Sequence, residues 1–150
     1  MRTKAPPLLL CCALLLALWP GVPSSGEEAS FKIVTHADVA EDSLPAKQLS
    51  KIFLKKIKRW EDDTSITVFD LEAESEVRDA FSRSVHRKSI SAIKSYWQRM
   101  IFSGRDVAPV ELDSEEKMLE QIAATAGSVG YVSAGAELPA GVKVLEVEAK

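Results

Sequence analysis

The sequence predicts one α/β domain, and three observations carry that prediction. Segments that alternate in the manner of β-strands are interleaved with segments whose apolar residues recur at helical spacing, the pattern of a layered α/β fold. The chain has 150 residues, and what remains after its first 26 is enough for a single core. No internal repeat and no low-complexity linker divides that remainder.

The first 26 residues read as a secretory signal peptide. Arg2 and Lys4 give a positive start, Leu8 to Trp19 an apolar run, and Pro20 to Gly26 an exit of small residues. The run is shorter than the about 20 apolar residues that span a bilayer; an uncleaved anchor is the other reading. Residues 27–150 are then the mature domain, periplasmic or secreted. Cys11 and Cys12 lie inside the run with leucines after them, so lipid attachment is not expected. The mature chain would have no thiol, hence no disulfide and no cysteine-based metal site or nucleophile.

Along the mature chain, Phe31–Thr35 alternates and is β-rich, a strand. Ser43 is the expected N-cap, with Pro45 in the first turn, of a helix to about Lys56 that turns Leu49, Ile52 and Phe53 inward. Glu61–Thr64 is a polar turn and Ile66–Asp70 a second strand. A helix from about Ala73 to Val85 places Val77, Ala80, Phe81 and Ser84 on one side. The next, from about Ser89 to Ile101, does so with Ile90, Ile93, Trp97 and Ile101. Phe102–Asp106 is a loop and Val107–Leu112 a short extended piece. Ser114 caps a helix whose first turn holds Glu115 and Glu116, where acids suit the dipole, and Gly127 ends it. Ser128–Ser133 and Val142–Val147 are the last strands.

Two segments carry a family resemblance. Leu44 to Trp60 reads Leu-Pro-Ala-Lys-Gln-Leu-Ser-Lys-Ile-Phe-Leu-Lys-Lys-Ile-Lys-Arg-Trp. It resembles the "L-x-x-x-x-L-x-x-I-F-L-G-K-I-x-x-W" segment of phosphate-binding proteins serving bacterial ABC importers. Gly127-Ser-Val-Gly-Tyr-Val-Ser133 resembles the "G-A-I-G-Y-V" strand later in the same lobe. The resemblance implies a single lobe of a type II periplasmic-binding-protein-like fold, the second lobe only, with a central mixed sheet flanked by helices. It also implies membership among solute-binding proteins of phosphate uptake, with phosphate or another oxyanion as ligand and an ABC permease or envelope protein as partner.

The turn after the strand Ile66–Asp70 is where a ligand should sit, because open α/β sheets bind at strand carboxyl ends and a helix N-terminus offers free N–H groups to an anion. In the family resembled this turn reads "R-x-D-G-S-G-T". Here it reads Leu71-Glu-Ala-Glu-Ser-Glu-Val77, in which only Ser75 coincides, while Glu76 and Val77 take the following Gly and Thr positions. Phe81 restores the match further along. Each of Glu72, Glu74 and Glu76 would repel a phosphate about 5 Å away by about 3 kcal/mol at an effective dielectric near 20. Losing the glycines also blocks close backbone approach. The plainer reading makes Ser75 an N-cap and the glutamates favourable first-turn acids. Ligand-binding candidates are therefore Ser75, Glu76, Val77 and Arg105, the last in a loop of small residues; Arg78, Arg83 and Arg87 are further cations in reach.

Other functions are argued against. Without Arg2 and Lys4, 17 basic face 22 acidic residues, a net charge of −5 that does not favour nucleic acid. His36 and His86 stand alone, weak grounds for metal or acid–base chemistry. Lys55–Arg59 is a basic cluster at a helix end, where cations complement the dipole, or a partner-binding patch. Trp60, Tyr96 and Trp97 read as core or rim packing. No P-loop, nucleophile elbow, metal helix or cofactor motif is present, so no enzyme is expected. Solute capture by one lobe needs a second copy or a partner to close the cleft. The alternative is an interaction or scaffold module of the cell envelope that uses the former cleft face.

Overall fold

The computed structural model describes residues 30–148. Six strands form one mixed sheet in the order β2-β6-β1-β5-β3-β4: β1 Phe31–His36, β2 Ser43–Pro45, β3 Thr67–Leu71, β4 Val110–Leu112, β5 Ser128–Ser133 and β6 Val142–Glu148. β1 runs antiparallel to both β5 and β6, from Phe31 opposite Ser133 to Thr35 opposite Val129 on the β5 side. β3 is parallel to β5 and to β4, so Leu71, Leu112 and Ser133 end together at one rim. The expected α/β class with a central mixed sheet flanked by helices is the architecture found. The expected signal peptide lies outside the described residues. No helix among the described residues is long and apolar enough to cross a membrane.

Helices cover both faces. α4 (Glu115–Ala124) packs Met118 and Ile122 against one face, where Gly130 lies beneath the Met118 sulfur and leaves no room for a β-carbon. α1 (Ala46–Phe53) and α2 (Glu76–Phe81) cover the other with an aromatic cluster. Phe81 stacks on Tyr131 at 4.0 Å between centroids, tilts against Phe53 at 4.6 Å and meets Phe31 edge-on at 5.6 Å. The indole N–H of buried Trp60 donates to the Gly127 carbonyl at 2.9 Å. The two segments that carry the family resemblance therefore touch in the core.

Several expected boundaries are corrected. Ser43–Pro45 is a strand parallel to β6, so α1 begins at Ala46 with Pro45, not Ser43, at its N-cap. Ladder bonds to β6 claim that backbone before the helix can. α1 stops at Phe53 rather than Lys56 because Lys55 takes a left-handed conformation, φ 52°. Lys56 N–H then bonds to Lys51 O and Lys55 N–H to Ile52 O, a Schellman closure. Lys55 stands at the position where the resembled family pattern has glycine. The expected helix Ala73–Val85 is shorter: α2 starts after Ser75 and passes into a π-helical turn, Ser82–His86, ended by left-handed Arg87. The wider turn brings Ser82 and Val85 inward and leaves Ser84 exposed. The extended piece after Asp106 contracts to β4.

α3 (Ile90–Phe102), capped by Ser89, buries Ile93 and Trp97, which lie outside the main core cluster. Its tethers run to the end of α1. Tyr96 OH donates to Leu54 O at 3.1 Å and Lys55 Nζ to Val107 O at 2.9 Å, while Lys58 pairs with Asp106 at 2.6 Å.

Candidate functional site

The common rim of β3, β4 and β5 opens into a cleft of about 700 Å³. The N-termini of α2 and α4 meet there, and both caps, Ser75 and Ser114, line it. Each hydroxyl accepts from a first-turn amide at 3.2 Å, Ser75 from Arg78 N–H and Ser114 from Lys117 N–H. Six carboxylates complete the wall: Glu72, Glu74, Asp113, Glu115, Glu116 and Glu137. Among the described residues, no lysine or arginine lines it. Lysines reach only nearby atoms: Lys117 pairs with Asp113 at 2.6 Å, and Lys32 donates to the Ala136 carbonyl. Glu115 accepts from Ser133 N–H at 2.8 Å and from its hydroxyl at 2.7 Å, which ties α4 to the end of β5.

Arg78, bonded to the carbonyl of Leu71 in the cleft lining, centres an ionic network of buried Asp70 and exposed Glu111. Asp70 and Arg78 are 7% and 2% exposed. Arg78 reaches Asp70 Oδ2 at 3.1 Å and Glu111 Oε1 at 2.7 Å, and donates to the Leu71 carbonyl. Tyr131 OH donates to Asp70 Oδ1, which also accepts from Leu71 N–H at 3.0 Å. Burial pushes the Asp70 carboxyl above its ordinary value, against the pull of Arg78 and the Tyr131 hydroxyl. Burial, helped by the Asp70 charge, raises the Tyr131 phenol far above its usual range. Arg78 stays protonated, since Asp70 and Glu111 outweigh its desolvation.

The sequence candidates are placed as follows. Ser75 lines the cleft. Glu76, next along the chain, is exposed, and Val77 is buried in the core. Arg105 is exposed in the turn after α3, outside the cleft lining, with its N–H bonded to Met100 O. Arg78, expected as a cation in reach of an anion, is instead spent in the core. Arg83 pairs with Asp79 at 2.8 Å. His86 is half-buried edge-on to Phe81, with Nδ1 2.8 Å from Ser50 Oγ. Burial first, then the charges of Arg78 and Lys88, lowers it to about 4. His36 meets Asp38 at 2.5 Å, and the same carboxylate oxygen accepts Gly127 N–H at 3.1 Å. Sequence reasoning missed the Asp70–Arg78–Glu111 network. Its one visible signal is an acid closing an apolar strand with an arginine early in the next helix.

A mixed sheet flanked by helices, with an open cleft where parallel strands end beside helix N-termini, defines a class of α/β cleft domain. Residues 30–148 match the family model for the PBP superfamily domain, and the chain belongs to that superfamily. No curated protein matches the sequence. Among solved structures it is similar to an ABC-type phosphate transport receptor from Vibrio cholerae, with 23% identity and a TM-score of 0.61 over 79% of this chain and 46% of that one. A putative phosphate ABC transporter substrate-binding protein with bound phosphate from Clostridium perfringens gives 21% identity and 0.62 over 79% and 44%. PstS from Borrelia burgdorferi gives 16% identity and 0.55 over 80% and 47%. The chain spans less than half the length of each, consistent with one lobe. The first two are named as a transport receptor and a substrate-binding protein.

Proposed function

We propose that this chain is an exported single-lobe module that binds a protein partner of the cell envelope through its cleft face, taking a cationic segment of that partner. The lining of the cleft carries this reading: among the described residues it holds six carboxylates and no basic side chain. An oxyanion about 5 Å from any of the five that have no lysine partner meets about 3 kcal/mol of repulsion at an effective dielectric near 20, and a cation gains the same. With Arg78 turned into the core and Arg105 outside the lining, no arginine offsets that field. Residues 1–26 serve as the export signal. The candidate partners are an ABC permease or another envelope protein; a homodimer closing cleft to cleft would set carboxylates against carboxylates.

One observation favours the second reading, capture of phosphate or another oxyanion: two capped helix N-termini open into the same cleft. Ser75 would then bind it, with Glu76 and Val77 in the same turn and Arg105 as the cation to recruit. Thermal melts separate the two. A ligand at 100 times its dissociation constant stabilises the native state by about 2.7 kcal/mol. Millimolar phosphate or sulfate is expected to leave the melt unmoved. A short oligolysine peptide at low salt is expected to raise it, and neutralising Glu72, Glu74 and Glu116 to glutamine to abolish the rise. A phosphate-dependent rise that Ser75→Ala removes would reject the interaction module in favour of oxyanion binding.

A further inference from the structure

Charge is unevenly distributed over this molecule. Residues 46–59 hold six lysines and arginines with no Asp or Glu, and residues 80–105 hold six more, again with none. These two segments are α1 with its exit and the π-turn with α3. Tyr96 to Leu54, Lys55 to Val107 and Lys58 to Asp106 bind them into one layer. Among the described residues, only Lys58, Arg59 and Arg83 of these twelve have a carboxylate partner. Lys56, Lys94, Arg99 and Arg105 are exposed.

The same layer ends in an apolar tip. Phe102 is 90% exposed, Ile101 52% and Val107 66%, beside the turn that Gly104 closes with φ 65°. At helical spacing, Phe102 lies on the side of α3 away from buried Ile93 and Trp97, so its ring has nothing of this fold to pack on. Asp106, the acid nearest the tip in sequence, is already paired with Lys58.

We infer that this layer docks on an anionic lipid surface, with Phe102 and Ile101 inserted at the headgroup boundary and Lys94, Arg99 and Arg105 among the cations facing the lipid charge. A polybasic face bearing an exposed aromatic and an aliphatic side chain is the composition that binds membrane interfaces. A purely electrostatic protein partner would leave Phe102 unexplained. The inference stands apart from the cleft reading: the carboxylate cleft is built from other elements, β3–β5 and the starts of α2 and α4.

The test uses residues 30–148, which contain all six strands and the core and lack the apolar N-terminus that would bind lipid by itself. The protein is sedimented with vesicles of phosphatidylcholine alone or mixed with phosphatidylglycerol. Binding to the mixed vesicles only, abolished by salt near 1 M, is expected. Arg99→Glu and Arg105→Glu should each weaken partitioning by at least about fivefold. Phe102→Ser should weaken it several-fold while the melting temperature of all three variants stays at that of the parent. Equal binding to both vesicle types, no binding, or binding that these substitutions leave intact would overturn the inference. So would self-association in free solution that Arg99→Glu abolishes, since the acidic cleft of a second copy would then be the occupant.

Discussion

Replacing Arg78 by alanine tests the ionic network that it centres. The guanidinium is 2% exposed and serves Asp70, Glu111 and the Leu71 carbonyl at once. At the observed 3.1 Å, the Asp70 contact alone corresponds to about 5 kcal/mol at an effective dielectric near 20. Desolvation of both charges cancels much of that in the intact protein. Removing one partner instead strands the other, at a cost of about 3–5 kcal/mol from a total stability of about 5–15. In urea, with a slope of about 1–2 kcal/mol per molar, the midpoint should fall by about 2–3 M with little change of slope. The loss also has a pH signature. Without Arg78 the Asp70 carboxyl, already raised by burial, is raised further, so the folded variant takes up a proton that the unfolded chain releases near its ordinary value. The Asp70 contribution is then largest in acid and falls by up to about 1.4 kcal/mol per pH unit as pH rises toward the folded value. Adding Asp70→Asn should restore part of the loss and flatten that slope, giving a coupling of at least about 1 kcal/mol in the double-mutant cycle. A single-variant cost below about 1 kcal/mol, or a cost independent of pH, would refute the account of Arg78 as the buried counter-charge.

Two further outcomes are expected. Lys55→Gly should stabilise the domain by about 0.5–1 kcal/mol, because a left-handed residue with a β-carbon costs about 1–2 kcal/mol and glycine returns part of that as unfolded-chain entropy; a thermal melt should rise by about 2–4 °C, and a fall would mean that the Lys55–Val107 bond outweighs the strain. His86, lowered to about 4 by burial, binds a proton near 6.5 only when the chain unfolds, so its contribution is complete above that value and lost as pH falls toward 4. Over that interval the parent should lose about 2–3 kcal/mol more than His86→Gln does, read from urea midpoints at both ends; equal losses would show that the imidazole is not held neutral.

Much of the architecture was legible because it follows from periodicity and capping. The strands near Phe31, Ile66, Ser128 and Val142 and the serine caps at 75 and 114 are local signals, each fixed by neighbours within a turn or a strand, while α4 stops at Ala124, ahead of the expected Gly127. What local pattern did not contain was the competition between distant segments. Ser43–Pro45 has good helix-start chemistry, yet β6, a hundred residues away, takes its backbone bonds. Lys55 occupies a glycine conformation because the chain must turn there for Trp60 to reach Gly127.

The cleft divides in the same way. That Ser75 would cap a helix beside glutamates could be read from the turn itself. That Asp113, Glu115, Glu116 and Glu137 gather opposite Glu72 and Glu74, while Arg78 points inward to Asp70, depended on β3, β4 and β5 ending together. Charge along a chain is additive and visible in the sequence; the field at a point depends on which charges the sheet brings within a few ångströms, and only the tertiary structure decided that.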